Sequence, residues 1–225
     1  MKLFLGGGGG KEDSIELDKK FVANLDLSKP LLYIPIAINT DKHPYSGCVA
    51  WLSDVLEPLG VVNITMWIED DLKRKEEKDF EQFTGIYIGG GNTFKLLKEL
   101  KEFGTFEILK KLIEKNIPIY GGSAGAIIFA KTVIPALSAD ENFVELRDFF
   151  ALNLLKDYEI WCHYSESLDL MIKSYMDKYN LKKILAIPEN AGLYVTEESI
   201  EVVGTADIKV FKGNNIKTFK TSDLI

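Results

Sequence analysis

Ile119-Tyr120-Gly121-Gly122-Ser123-Ala124-Gly125-Ala126 is an apolar run that breaks into small residues around one serine, and Ile127-Ile128 carry the apolar pattern onward. Ile117–Tyr120 predicts a strand and the residues from Ala124 a helix, so Ser123 sits at a sharp strand-to-helix turn. This Gly-x-Ser-x-Gly spacing is that of a nucleophile elbow, where small neighbours let a strained serine stand exposed. The pentapeptide is equally compatible with a plain tight turn, so the rest of the chain decides.

Upstream, Lys2–Leu5 reads as a first strand leading into five glycines, Gly6–Gly10. A helix then starts with the capping-box pattern Asp13-Ser14-Ile15-Glu16 and aligns Leu17, Phe21 and Leu25. Leu31–Ile38 predicts a second strand, weakened by Pro35, and Gly47–Glu57 a helix stopped by Pro58. Asn63–Trp67 and Gly85–Ile88 are further strands with a charged helical segment between them. The latter ends at Gly89-Gly90-Gly91-Asn92-Thr93, before two short helices marked by Phe94, Leu97, Leu100 and by Phe106, Leu109, Leu112, Ile113.

Downstream, Asp140–Asn142 reads as loop, Tyr158–His163 as a strand, Leu168–Tyr179 as an amphipathic helix and Ile184–Ile187 as a strand. Leu193–Thr196, Ile200–Val203, Lys209–Phe211 and Ile216–Phe219 then predict antiparallel hairpins at a sheet edge. Strands alternating with helices give an α/β fold with a mostly parallel sheet. No linker or repeat interrupts residues 1–225, which read as a single domain.

With 46% hydrophobic and 27% charged residues the composition is that of an ordinary globular protein. The formal charge of −7 is spread along the chain, which argues against a nucleic-acid partner, since that needs a basic face. The run Lys73-Arg74-Lys75 is flanked by acids and reads as a solvated helix face. Cys48 and Cys162 form no Cys-x-x-Cys pair and suggest no metal site. A reducing compartment, no signal peptide in Met1–Leu5 and no apolar stretch of about 18 residues lead to the expectation of a cytoplasmic protein without a membrane partner.

A serine hydroxyl needs a base, a carboxylate to orient that base, and donors for the oxyanion. The chain has two histidines, His43 and His163. His163 ends a strand, where parallel sheets carry their reacting groups, whereas His43 lies in a polar stretch that reads as surface loop. Glu189 follows another strand end, and Asp140 is its rival; either could accept the imidazole N–H. Backbone N–H groups of Gly90, Gly91 and Ala124 are candidates for the oxyanion hole, with Asn92 as a side-chain contact to substrate. The glycine runs do not fit Gly-x-x-x-x-Gly-Lys-[Ser/Thr] and are weak phosphate loops.

Taken together, the Gly89-Gly90-Gly91-Asn92-Thr93 motif, the Gly-Gly-Ser-Ala-Gly-Ala turn and the strand ending in His163 resemble the serine peptidase family of dipeptidase E (aspartyl dipeptidase) and cyanophycinase. The resemblance implies a flavodoxin-like three-layer sandwich related to class I glutamine amidotransferases, with serine in place of their cysteine. It implies Ser123 as nucleophile and His163 as base. Glu189 matches the carboxylate of the cyanophycinase-like branch, and Asp140 roughly matches an aspartate of the dipeptidase branch. No metal or other cofactor is implied. The residues after His163, Tyr164-Ser165-Glu166-Ser167, contain no arginine to hold an aspartyl side chain, and Glu166 is a candidate contact for a substrate amine.

The expected activity is hydrolysis of short peptides through an acyl-enzyme on Ser123. The competing reading is a non-catalytic small-molecule or nucleotide-binding protein of the same fold, whose glycine loops hold an anion. The C-terminal hairpins offer an edge through which a homodimer could form.

Overall fold

The computed structural model describes residues 1–225. β1 (Leu3–Gly6), α1 (Lys11–Val22), β2 (Leu31–Ile34), α2 (Tyr45–Leu56), β3 (Ile64–Met66), α3 (Glu69–Leu72) and β4 (Gly85–Ile88) build the first half. α4 (Thr93–Glu102), α5 (Thr105–Glu114), β5 (Ile119–Gly122) and the single turn α6 (Ala124–Ile127) lead to β6 (Glu159–Trp161) and α7 (Asp169–Tyr179). β7 (Lys183–Ala186), β8 (Ala191–Val195), β9 (Ile200–Gly204), β10 (Ile208–Lys212) and β11 (Asn215–Phe219) complete the chain.

The main sheet has the order β3-β2-β4-β5-β1-β8-β9. Its first five strands are parallel, and β8 and β9 are added antiparallel at one side. Alternation along each strand sends Leu3, Leu5, Ile86 and Ile88 to a core with α4 and α5, and Phe4, Tyr33, Tyr87 and Tyr120 to a core with α1 and α2. The sheet is therefore the middle of three layers.

Several boundaries differ from the sequence expectation. Pro35, which lacks an N–H, ends β2 at Ile34 rather than Ile38. Helix α1 begins at Lys11, with Asp13 in its first turn accepting the N–H of Gly10 at 2.9 Å. The larger correction concerns the C-terminal hairpins, which do not share one edge. β10 and β11 instead join β7 and β6 in a second sheet, β11-β10-β7-β6. β1 is already paired on both sides, by β5 and β8, so β6 has no free edge there. It pairs with β7, and α7 covers the second sheet through Ile172 and Met176.

Glu159, at the start of β6, is buried and accepts both the N–H (2.8 Å) and the hydroxyl (3.0 Å) of Thr132. Burial nevertheless pushes its carboxyl up to about 7. A raised carboxylate binds its proton more tightly in the folded state, so stability is highest below the ordinary carboxylate range and falls as pH rises through about 7. Glu159→Gln keeps the acceptor for Thr132 and removes the titration. Urea denaturation across pH 4–8 is expected to lose on the order of 1–3 kcal/mol less stability in the variant than in the native protein; identical profiles would show that Glu159 does not titrate in this interval.

Candidate active site

The C-terminal ends of β1, β4 and β5 converge on Ser123. Gly121 and Gly125 pack the turn tightly: a Cβ on Gly121 would sit 2.2 Å from the Gly125 carbonyl oxygen, and one on Gly125 would sit 2.3 Å from that of Ile88. Ser123 itself has φ 51° and ψ −111°, outside the conformations an L-residue adopts easily. Its N–H donates to Gly6 (3.1 Å), and its carbonyl accepts from Ala126 and Ile127. The backbone is thus held at both ends while the hydroxyl stands free of it.

His163 also has positive φ, 52°. It lies two residues beyond β6, and its N–H donates to Gly7 at 2.9 Å. Its ring rests on Gly8, where a Cβ would come within 2.3 Å of Cε1; Gly8 also has φ 107°, so glycine is required twice over. The Ser123 Oγ to His163 Nε2 distance is 2.9 Å, and His163 Nδ1 to Glu189 Oε1 is 2.8 Å. Glu189 sits in the turn between β7 and β8. The His163 and Glu189 side chains are 49% and 56% exposed, so the pair is oriented by hydrogen bonding more than by a buried charge.

Gly90 lies against the serine, a Cβ there falling 3.3 Å from Ser123 Cβ. The N–H groups of Gly90 and Gly91 donate to no protein group, and Ala124, first residue of α6, has no intrahelical acceptor for its own. These donors remain available for a charged oxygen beside Ser123.

Three of the expected site residues are engaged elsewhere. Asp140 accepts the N–H of Thr93 at 2.8 Å and so caps α4; it is Glu189 that reaches His163. Asn92 caps the same helix by accepting from Lys95 N–H (2.9 Å), and its amide donates to the Glu141 carbonyl (2.8 Å). Glu166 is 86% exposed and pairs with Lys209 at 3.1 Å, outside the clefts that flank Ser123.

Those clefts were not legible in the sequence. One, of about 430 Å³, opens on the α1/α2 side of the sheet, and another, of about 580 Å³, on the His163 side; both include Ser123, Gly8, Gly90, Ile38 and His43. His43, read as surface loop, is exposed but belongs to both mouths. Gly6–Gly9, read as part of a weak phosphate loop, line the first. No group of three or more His, Cys, Asp or Glu side chains is arranged to hold a metal ion, and no helix is long and apolar enough to cross a membrane.

Residues 3–203 match the model of Peptidase family S51. The chain belongs to that family. It is similar to the Peptidase E of Shewanella denitrificans, 27% identical over 211 residues that cover 90% of this chain and 85% of that one. A shorter stretch of 93 residues, 41% of this chain and 44% of the other, is 36% identical to the pyridoxal 5'-phosphate synthase subunit PdxT of Pyrococcus furiosus. Among solved structures, a peptidase from an acI-B1 Actinobacterium superposes with a TM-score of 0.73 at 17% identity, over 100% of this chain and 96% of that one. This S51 chain is thus a peptidase by family, with an α/β sandwich related to amidotransferase-like proteins.

If the Ser123 backbone is strained as its angles indicate, glycine there relieves the strain and alanine does not. Ser123→Gly is expected to be more stable than Ser123→Ala by about 1 kcal/mol, after allowing for the entropy glycine adds to the unfolded chain. Parallel urea titrations test this, and equal midpoints would argue for an unstrained turn.

Proposed function

We propose that this protein hydrolyses short peptides through an acyl-enzyme on Ser123, with His163 and Glu189 completing a catalytic triad and Gly121–Gly125 forming a nucleophile elbow. The observation that carries the reading is the unbroken chain from Ser123 Oγ through the His163 ring to Glu189, at 2.9 and 2.8 Å, built on a serine with positive φ. A binding protein has no use for that strain, so the geometry favours catalysis over the non-catalytic alternative.

In the proposed sequence, Ser123 Oγ attacks the peptide carbonyl carbon while its proton passes to His163 Nε2. Glu189 accepts the Nδ1–H, fixing the tautomer and stabilising the imidazolium. The developing oxyanion is met by the N–H of Ala124 and by those of Gly90 and Gly91. Collapse breaks the C–N bond, and His163 returns the proton to the leaving amine. Water then attacks the ester, His163 takes its proton, and Ser123 is regenerated as the acid departs. No metal ion enters these steps.

The assignments separate by mutation. Ser123→Ala is expected to lower kcat at least 10³-fold with the fold intact, and Glu189→Gln by about 10²–10⁴-fold. Asp140→Ala, which loses a helix cap, is expected to cost about 1 kcal/mol of stability and to leave kcat within a few-fold. Release of free amino acids from a dipeptide panel, alongside thermal melts, distinguishes them. A loss of kcat in Asp140→Ala as large as in Glu189→Gln would return Asp140 to the triad.

A further inference from the structure

The cleft on the α1/α2 side has an unusual construction. Tyr33, Tyr87 and Tyr120 are direct register partners across β2, β4 and β5, so their side chains form a row on one face. Phe4 and then Tyr194 extend that row across β1 and β8. One pleat further toward Ser123, on the same face, the positions are Gly89, Gly122 and Gly6, all of which line the cleft. Side chains there would press on the tyrosine hydroxyls and narrow the cleft that these glycines line. The tyrosine hydroxyls tip toward these glycines, lying 3.2 Å (Tyr33), 3.7 Å (Tyr87) and 3.1 Å (Tyr120) from where a Cβ would stand on Gly89, Gly122 and Gly6. Leu17 of α1 and Trp51 of α2 supply apolar walls.

The cleft's charge is as specific as its shape. Its lining includes Asp13 and Glu189 but neither lysine nor arginine, and the second cleft also has no lysine or arginine. Asp18 of α1 is fully buried and accepts from Ser14 at 2.7 Å, and burial pushes its carboxyl up to about 6. Burial raises the Tyr33, Tyr87 and Tyr120 phenols well above their usual range, so they stay neutral. An acidic side chain would be desolvated here against carboxylates with no lysine or arginine to receive it, His43 being the one basic side chain in the lining, which is costly. An uncharged ring would gain edge contacts with the phenols and bury about 150–250 Å².

The two clefts are also distinguishable in role. His163, the group that hands a proton to the leaving amine in the proposed mechanism, lines the second cleft and not the first. The leaving residue therefore belongs on that side, and the side chain of the acyl residue in the tyrosine-floored cleft. Resting on the proposed peptidase reading, the geometry points to peptides whose acyl-side residue carries a large uncharged side chain, aromatic in the best fit, and away from aspartyl peptides.

The test compares Phe-Ala, Ala-Ala and Asp-Ala. The native protein is expected to favour Phe-Ala over Asp-Ala by at least 100-fold in kcat/KM, and over Ala-Ala by at least tenfold. Gly47→Leu directs a side chain into the cleft from α2, where an added Cβ meets only Pro44 Cγ at 4.0 Å. It is expected to lower the Phe-Ala to Ala-Ala ratio at least tenfold in a protein whose melting curve remains native-like. Calorimetric binding of the same peptides to Ser123→Ala separates the two ideas. If no dipeptide is hydrolysed, the catalytic reading fails, but Phe-Ala binding preferentially to Ser123→Ala, and less so once Gly47→Leu is added, upholds the cleft assignment. A preference for Asp-Ala, or a Phe-Ala to Ala-Ala ratio unmoved by Gly47→Leu in both kinetics and binding, overturns it.

Discussion

Two backbone hydrogen bonds at Gly7 join the parts of the molecule that the site needs. Gly7 donates to Ala191 at 3.0 Å and accepts from His163 at 2.9 Å, so the residue leaving β1 is tied both to the start of β8 and to the loop after β6. The approach is close enough that a Cβ on Gly7 would fall 1.9 Å from the Pro188 carbonyl oxygen. Through this contact the second sheet is held at a fixed distance from the first. Ser123 belongs to the main sheet, and His163 and Glu189 to loops at the ends of second-sheet strands. Their 2.9 and 2.8 Å contacts span that junction.

Around the junction, strain and packing are balanced. Positive φ at both Ser123 and His163 costs on the order of 1–3 kcal/mol each. The surrounding structure opposes relaxation with backbone bonds from Ser123 to Gly6 and from His163 to Gly7, and with close-packed glycines at 121 and 125. Cys162, buried at the edge of the second cleft, adds weak contacts to the carbonyls of Gly6 (3.8 Å) and Ser123 (3.7 Å). Its burial raises the thiol far above the usual range. That makes it an unreactive neighbour of the serine proposed as nucleophile.

The carboxylate and carboxamide side chains near the site divide by what they hold. Asp140 and Asn92 fix the start of α4, and with it the Gly89–Gly91 loop that faces Ser123. Glu166 and Asp169 share Lys209, and Asp169 also accepts from Tyr164 at 2.6 Å, which pins the chain just after His163. These residues act on the site through backbone position, while Glu189 alone touches the histidine. Similar side chains near one motif thus take different tasks according to which loop ends carry them.

The alternation of apolar strands and helices, the Gly-x-Ser-x-Gly turn and the scarcity of histidine were local signals, and they determined the α/β class, the nucleophile candidate and its base. Local patterns suffice there because side-chain period and turn chemistry are set within a few residues. What remained open was settled by pairs far apart in the chain. Which of Glu189 and Asp140 lies within hydrogen-bond reach of His163 depended on which loop crosses its ring. The split of the C-terminal strands into a second sheet depended on β1 having both edges occupied. The tyrosine row and the glycines above it were in the sequence as isolated residues on four separate segments. Only strand register, which aligns Tyr33 with Tyr87 and Tyr87 with Tyr120, turns them into the lining of a cleft.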